Sequence, residues 1–520
     1  MNPCFRVDEI LRLFACELVE SEANATAAAL AYCCKSFEEP VLDALWEKQE
    51  RLIPLLKCIP QDVWEEEYGE FVSPPTVSSF LLLNCLIWKI FKRTPTKAEW
   101  AHSRKYARRM RKIVVDTSED IVSSDVLLAL HLRTVNDPWL PRLREFGCME
   151  ATEVFIPFIH LFLNPETTAI DIGFAEDIAT VVVAPTISSL STLCPNLESI
   201  GLGGLPRDPV ITEAVSEMLL ACNRDTLEVF HVDTPLTEEA REVVYRLPKL
   251  CSLWAVIQGP TFLPKVALPN LDGIQVEYDH DHNWLQGFGE AALERLEVAR
   301  FYSESERIGD FLEAFKSVTF ATSTQNTLST FEFHTPRSWN PNYSSLLSFS
   351  QLNTLVIEFS CEGSCSSTLD DDTIVSLAQA MPKLEVLQLG RGPCATRTGV
   401  TVNGLTGLAH RCPRLSKLSI HFQAFTLIEA AAGATVPSSS DKPVSRREDC
   451  ALTDLEVGDT PISAGLESTV AQTLLQIFPH ILNVEYTNRG WETIANTIKD
   501  SRQVGAFARC SGKPHMSQIL

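Results

Sequence analysis

The chain has 520 residues, of which 45% are hydrophobic and 21% charged, and its formal net charge is −23 at pH 7. These proportions are those of a folded chain and exclude a disordered one. The strong negative charge argues against general nucleic-acid binding, which needs many Lys and Arg side chains facing phosphates.

Cysteine usage and apolar run lengths set the expected compartment. Several of the 16 cysteines, such as Cys194 and Cys412, lie in periodic apolar stretches, where a free Cys behaves as a small core residue. No secretory signal is visible, and the longest apolar runs are about nine residues, half of what a membrane-spanning helix needs. The sequence therefore predicts reduced thiols, a cytoplasmic or nuclear location and no membrane association.

Residues 1–50 form a short helical module in this interpretation. Apolar side chains fall at three- and four-residue spacing, which is the helical period. The positions in the three predicted helices are Ile10, Leu11, Leu13, Phe14 and Leu18, then Ala27 to Leu30, then Val41, Leu42, Leu45 and Trp46 after Pro40.

Residues 51–104 are predicted to be an irregular helical linker, including a helix at Ile87–Phe91. Residues 89–112 hold ten basic side chains against one acid, Glu99. Two interpretations stay open for this segment. It is either a solvated or internally paired helix face, or a nuclear-targeting or acidic-partner patch.

Residues 105–490 repeat one phrase, in which apolar residues stand at positions one, four and six. First positions recur every 21 to 37 residues, a period typical of a solenoid, and this phrase is that of a leucine-rich-repeat strand. The clear members begin at Leu197, Leu227, Leu271, Leu293, Leu328, Leu352, Leu384, Leu415, Leu452 and Ile481, with a degenerate member at Leu250 and weaker early ones at Met110, Leu143 and Thr167.

Helical periodicity between these strands completes the predicted architecture. Strand, helix and parallel strand in alternation give an α/β fold, a right-handed leucine-rich-repeat horseshoe behind the helical module. Buried strand positions should include Ile200, Leu202, Leu355, Ile357, Leu387 and Leu389. A polar loop is expected at 433–449, and a C-terminal tail at 491–520 that lacks periodicity from about Ser501.

The first fifty residues resemble an F-box, the helical module that docks on the Skp-type adaptor of SCF ubiquitin ligases. The matching phrases are Asp8-Glu9-Ile10-Leu11, Leu13-Phe14, Ala29-Leu30, Cys34-Lys35-Ser36-Phe37, Pro40-Val41-Leu42 and Leu45-Trp46. With its repeats, the whole chain resembles the F-box proteins with leucine-rich repeats that are abundant in mushroom-forming fungi.

This resemblance implies a substrate receptor, with a Skp-type adaptor and through it a cullin-RING complex as partners. The alternatives are a helical module that only caps the first repeat, and a leucine-rich-repeat scaffold without ubiquitin-ligase association. The residues implied in adaptor binding are Ile10, Leu11, Phe14, Leu30, Pro40, Leu42, Leu45 and Trp46.

Catalytic and metal motifs do not rise above chance in the sequence. Gly201-Leu202-Gly203-Gly204 lacks the third glycine of the dinucleotide-binding motif. The residues of Asp279-His280-Asp281-His282 are adjacent on one turn, and adjacent residues seldom converge on one metal ion. Cys361 and Cys365 have zinc-like spacing without a second pair. We therefore expect a protein that is not an enzyme and holds no cofactor or metal.

The predicted target surface is the strand face opposite the buried residues. Acids outnumber bases there, so an acidic face should select a basic segment of a target protein. The target-binding residues predicted on this face are His231, Trp254, Glu277, Glu297, Glu332, Glu358, Glu456 and Glu485. The alternative is that these acids only keep an exposed sheet soluble.

Overall fold

The chain folds into two compact units, Met1–Ala255 and Val256–Leu520. The computed structural model describes residues 8–69, 86–117, 122–134, 138–258, 268–288, 294–305, 308–320, 323–337, 339, 341–359, 369–390, 398–424, 426, 450–458, 460–462 and 465–510. The predicted polar loop at 433–449 and the Cys361–Cys365 pair lie outside these residues.

Three helices open the first unit, as the apolar periodicity of residues 1–50 predicts. They are α1 (Asp8–Glu20), α2 (Asn24–Cys33) and α3 (Lys35–Glu47). Their shared core is small, so the helices pack closely over few side chains. It consists of Leu11, Ala15, Ala27, Phe37, Val41 and Ala44.

The prediction of an irregular helical linker at 51–104 is correct for two helices but wrong at Ile87–Phe91, which lies in a strand. Helix α4 (Ile53–Leu56) is followed by an antiparallel pair, β2 (Trp64–Gly69) with β3 (Leu86–Phe91), and then by α5 (Lys97–Ala107). The stretch Leu86–Phe91 is rich in isoleucine and aromatic residues, which favour a strand over a helix. The side chains of Thr96 and Glu99 form a capping box that starts α5.

Parallel strands form the rest of the first unit. Strand β1 (Lys48–Gln49) directly follows α3 and pairs with β4 (Lys112–Asp116), which joins the helical module to the sheet. The later strands follow in chain order: β5 (Glu145–Ala151), β6 (Ala169–Phe174), β7 (Ser199–Gly203), β8 (Val229–Pro235) and β9 (Ser252–Ile257). The helices between them are α6 (Ser124–Thr134), α7 (Thr180–Leu193), α8 (Pro209–Ala221) and α9 (Glu238–Val244).

The second unit repeats the same alternation, and its neighbouring strands from β10 to β17 pair in parallel. Its strands are β10 (Gly273–Tyr278), β11 (Val298–Ser303), β12 (Thr330–Thr335), β13 (Thr354–Phe359), β14 (Val386–Leu389), β15 (Lys417–Ile420), β16 (Asp454–Gly458) and β17 (Asn483–Tyr486). Its helices are α10 (Phe311–Phe320), α11 (Asp371–Ala380), α12 (Val402–Arg411), α13 (Glu467–Ile477) and α14 (Glu492–Cys510).

Alternating burial along the strands confirms the predicted core positions. In each unit, one side of the strands is buried and the residues between are partly exposed, as the period of two in a strand requires. The six predicted inward residues are all buried: Ile200, Leu202, Leu355, Ile357, Leu387 and Leu389.

The strand register of one repeat differs from the prediction. The phrase that begins at Leu293 would bury Val298, but the buried strand residues of β11 are Ala299, Phe301 and Ser303. The true phrase starts at the buried Leu296, three residues later. The prediction failed because alanine is a weak apolar marker, whereas valine at 298 fits the pattern.

The C-terminal region also differs from the expected tail. Residues 492–510 form α14, and its first turns are held by the buried side chains of Trp491, Ile494 and Ile498. The Trp491 indole N–H donates to the backbone oxygen of Thr460 over 2.8 Å. This helix covers the last strand of the second unit rather than extending as a tail.

Candidate binding surfaces

Helix α1 presents an apolar face to solvent. The side chains of Ile10, Leu13 and Phe14 are 42%, 72% and 45% exposed. On α2, Tyr32 is 93% exposed. Three large apolar side chains within five residues of one helix form a patch that water does not favour, and such patches mark interaction surfaces. We call Ile10, Leu13 and Phe14 the α1 patch.

Leu11, in contrast, is fully buried in the core of the three helices. The prediction that it contacts an adaptor is therefore wrong, because the helix turns it inward while its neighbours point outward. Leu13 was absent from the predicted adaptor residues, although its position beside Phe14 in the sequence is the signal that could have identified it.

The other predicted adaptor residues have internal contacts. Leu30 and Leu45 pack on the three-helix core, and Pro40 and Leu42 are half-buried. The ring of Trp46 packs on Tyr106 of α5, with centroids 4.9 Å apart. Of the eight predicted residues, only Ile10 and Phe14 are classed as exposed.

Ion pairs tie α3 to the basic segment. Arg109 contacts the carboxylates of both Glu39 and Asp43, and Lys105 lies 3.7 Å from Glu38. The Arg109 hydrogen bond holds the pKa of Glu39 below its usual range. These contacts favour internal pairing over a targeting signal for this part of segment 89–112.

Further along the segment, Arg93 contacts Glu99 and Asp62, at 2.7 Å each. The Arg93 hydrogen bond, with the backbone N–H of Thr96, lowers the pKa of Glu99 to about 2. The one acid within the segment is thus fixed at the start of α5 by a base of the same segment.

The strand face of the first unit carries two of the predicted target residues, His231 and Trp254. Both are partly exposed strand residues between buried neighbours, as predicted. A ring nitrogen of His231 lies 2.8 Å from the Ser252 hydroxyl. The aromatic rings are therefore available on this face, with His231 oriented by the next strand.

In the second unit, Arg300 occupies the position on the strand face that the sequence had assigned to Glu297. Glu297 precedes β11 and is exposed, so the prediction that it lies on the strand face is wrong. Arg300 is the partner of Glu332 in the strand register, and its Nε lies 3.1 Å from the Glu332 carboxylate. A base stands where the sequence predicted an acid.

Five side chains of β11, β12 and β13 form one network on this face. The His334 Nδ1 lies 2.9 Å from Glu358, and its Nε2 lies 3.7 Å from Glu332, an ion-pair distance longer than a hydrogen bond. The His334 ring stacks on Tyr302 with centroids 4.8 Å apart. Together with Arg300, these residues are called the His334 network.

The protonation of His334 follows from its neighbours. Burial by itself lowers the pKa of the imidazole, but the carboxylates of Glu332 and Glu358 outweigh it and raise the pKa to about 9. The imidazole is therefore a cation at pH 7. Two bases, Arg300 and His334, balance the two acids Glu332 and Glu358, so the network is close to neutral.

The remaining predicted target residues, Glu277, Glu456 and Glu485, lie on strands β10, β16 and β17. Glu277 and Glu456 are partly exposed, and Glu485 is exposed. All three lie on the predicted strand face. The structure does not bring the eight predicted residues into one cluster.

The glycine and histidine motifs of the sequence have structural contacts. Gly204 has a positive φ of 74°, and its N–H donates to Asp233 over 2.5 Å, so the glycine run forms a repeat turn. His282 is half-buried with its ring against Phe311. Among the described residues, no group of three or more His, Cys, Asp or Glu side chains could hold a metal ion, and no helix is long and apolar enough to cross a membrane.

Comparisons with known proteins give only remote likenesses. No protein-family model matches the chain, and no curated protein matches its sequence. It is similar to a chain of the yeast Rad7 and Elc1 complex, with 12% identity, a TM-score of 0.36, and coverage of 67% of this chain and 76% of that one. It is also similar to an internalin of Listeria monocytogenes, with 11% identity, a TM-score of 0.32, and coverage of 62% and 77%. At these scores neither likeness bears on function.

Proposed function

We propose that this protein is the substrate-recognition subunit of an SCF-type E3 ubiquitin ligase. In this proposal the α1 patch docks on a Skp-type adaptor, and the strand faces hold the target protein. The observation that carries it is the exposure of Ile10, Leu13 and Phe14 on a helix whose opposite side is buried, in the segment that resembles an F-box.

The capping alternative accounts for a different part of the helical module. Strand β1 joins the module to the sheet edge, and Glu38 of α3 lies 3.7 Å from Lys105 of α5, so one side of the module does shield the first strands. A cap alone gives no reason for the α1 patch, because a cap needs a polar outer surface. The module has an inner side that caps and an outer side that is free to dock.

The protein acts without catalysis of its own in this proposal. Ubiquitin transfer is carried out by the cullin-RING partner subunits, and the chain contributes binding surfaces. Copurification with a Skp-type adaptor separates this function from that of a leucine-rich-repeat scaffold, because such a scaffold would bind a target but no Skp-type adaptor.

The test is copurification of a Skp-type adaptor with full-length variants. Leu13→Asp and Phe14→Asp should each abolish adaptor binding, because a charge desolvated in an apolar interface costs several kcal/mol. Both side chains are exposed, so the melting temperature should stay unchanged. Val181→Asp, at a side chain that is 76% exposed on α7, is the matched control and should leave adaptor binding intact. Adaptor binding by both α1 variants would refute the proposal.

A further inference from the structure

A groove of about 600 Å³ opens on the strand face of the first unit, above strands β4 to β7. Val114, Gly147 and Asp171 line it and pair across the strands, Val114 with Gly147 and Gly147 with Asp171, and Asp171 pairs in turn with Gly201 beside the groove. Two of these four positions are glycines, and the acid stands between them.

The groove exists because side chains are missing from its floor. Gly147 and Gly173 line it without a side chain. At Gly201, an added Cβ would lie 2.5 Å from Oδ1 of Asp171, so only glycine leaves room for this carboxylate position. At Gly147, an added Cβ would lie 3.2 Å from Cγ2 of Val114, so the Val114 side chain borders the groove there, whereas the backbone at Gly173 is open to approach by a ligand.

A bulge in β5 supplies an apolar wall. The register shifts between Cys148 and Ala151, and the two residues between them, Met149 and Glu150, are both exposed. Glu150 has a φ of 52°, which turns the chain so that successive side chains face outward. Met149 is 56% exposed and lines the groove.

The charge of the groove is negative and is not neutralised internally. Its lining holds three acids, Glu145, Glu150 and Asp171, and one base, Lys112, which pairs with Glu145 over 2.7 Å. Asp171 is exposed, and within the described residues its carboxylate has no hydrogen-bond or ion-pair partner. This contrasts with the His334 network, where each acid faces a base.

We propose that this groove binds an arginine side chain on an extended segment of the target protein. The aliphatic stem of the arginine lies between Val114 and Met149, beside Gly147, and its guanidinium pairs with both oxygens of Asp171. Arginine fits better than lysine, because a planar, weakly hydrated guanidinium matches a carboxylate bidentately and packs well on a flat apolar surface. The inference rests on the proposed function, since it assigns a target class to the strand face of a substrate receptor.

The test uses three pools of fluorescein-labelled nonapeptides and the full-length protein. Each pool has one fixed central residue, arginine, lysine or citrulline, with alanine, serine or leucine at the other positions. Fluorescence polarisation should show roughly tenfold tighter binding of the arginine pool than of the citrulline pool, the usual scale of a hydrogen-bonded charge pair. Asp171→Asn should remove this preference.

Two further variants make the outcome decisive. Glu198→Gln neutralises an exposed acid just before β7 that does not line the groove, and it should keep the arginine preference. Gly173→Leu should weaken binding of the arginine pool, because its Cβ meets only ordinary contacts at 3.7 and 3.9 Å and its side chain fills the groove. An unchanged melting temperature would show that this variant folds.

Equal binding of the three pools by the wild-type protein would overturn the inference, and so would a preference that survives in Asp171→Asn. Adaptor copurification is measured on the same proteins and reports the proposed function independently. An arginine preference without adaptor binding would leave the groove standing and refute the ubiquitin-ligase assignment. Adaptor binding without an arginine preference would support the ubiquitin-ligase assignment and refute the arginine-binding groove.

Discussion

The His334 network gives a pH dependence that can be worked out from its geometry. His334 lies between Glu332 and Glu358, and its pKa is raised from 6.5 to about 9 in the folded protein. In the unfolded chain the imidazole keeps its ordinary pKa. The folded state therefore binds a proton more tightly than the unfolded state does, and this difference stabilises the fold.

The sign and size of the effect follow from linkage. The stabilisation is fully present below pH 6.5 and is lost as the pH rises from about 6.5 to 9. A shift of that size corresponds to at most about 3 kcal/mol. The His334 side chain is 24% exposed and solvent screens its ion pairs, so we expect a loss of about 1–2 kcal/mol.

The direct assay is a ¹³C NMR titration of the 11 histidine imidazoles, with the His334 resonance assigned from its absence in His334→Gln. In the wild-type protein this imidazole should titrate near pH 9. Glu358→Gln should lower its pKa, because it removes the carboxylate 2.9 Å from Nδ1. Urea unfolding should show the wild-type advantage over His334→Gln shrinking between pH 6.5 and 9. A wild-type imidazole that titrates near 6.5 would refute the reasoning.

Two more predictions concern the core. Leu387→Ala should lower the free energy of unfolding by about 2–5 kcal/mol in urea titrations, because Leu387 is fully buried and its neighbours cannot fill the cavity; a change below about 1 kcal/mol would contradict this packing. Burial raises the pKa of the Cys412 thiol to about 12, so this thiol should react with a disulfide reagent only after unfolding, whereas the exposed Cys33 should react at once. Rapid labelling of Cys412 in the folded protein would contradict its buried position.

The repeat strands could be predicted because large apolar residues occupy most of their buried positions. Leu355, Ile357, Leu387 and Leu389 each fill a buried position that tolerates little change in volume, so the pattern is strong in the sequence. The register of β11 could not be read in the same way, because its buried positions include Ala299. A small residue can occupy a buried strand position where a large neighbouring side chain fills the remaining space. Only the packing in the structure identifies such a position.

The exposed apolar surface of the helical module was predictable as a segment but not residue by residue. Apolar spacing locates three helices, yet α1 has apolar residues on both sides, and sequence alone does not say which side meets α2 and α3. The structure turns Leu11 inward and Leu13 outward. Similarly, the strand at Leu86–Phe91 was interpreted as a helix because a short apolar run is compatible with both periods.

The charge of the strand face shows why counting acids along a sequence does not locate a basic ligand. Glu332 and Glu358 are occupied by Arg300 and His334, and Asp454 accepts hydrogen bonds from the Thr453 hydroxyl and the Asn483 amide.

An acid that already has a partner gains less from a second cation, because the new contact must replace the old one. Asp171 has no such partner among the described residues. It lies in the weak repeat that begins at Thr167, and its neighbours on the adjacent strands are Gly147 and Gly201. The repeat phrase is defined by apolar residues and therefore gives no information about these glycines. A ligand cation should therefore be held where the repeat pattern is weakest, since a repeat position filled by glycine leaves space on the strand face that a side chain would otherwise occupy.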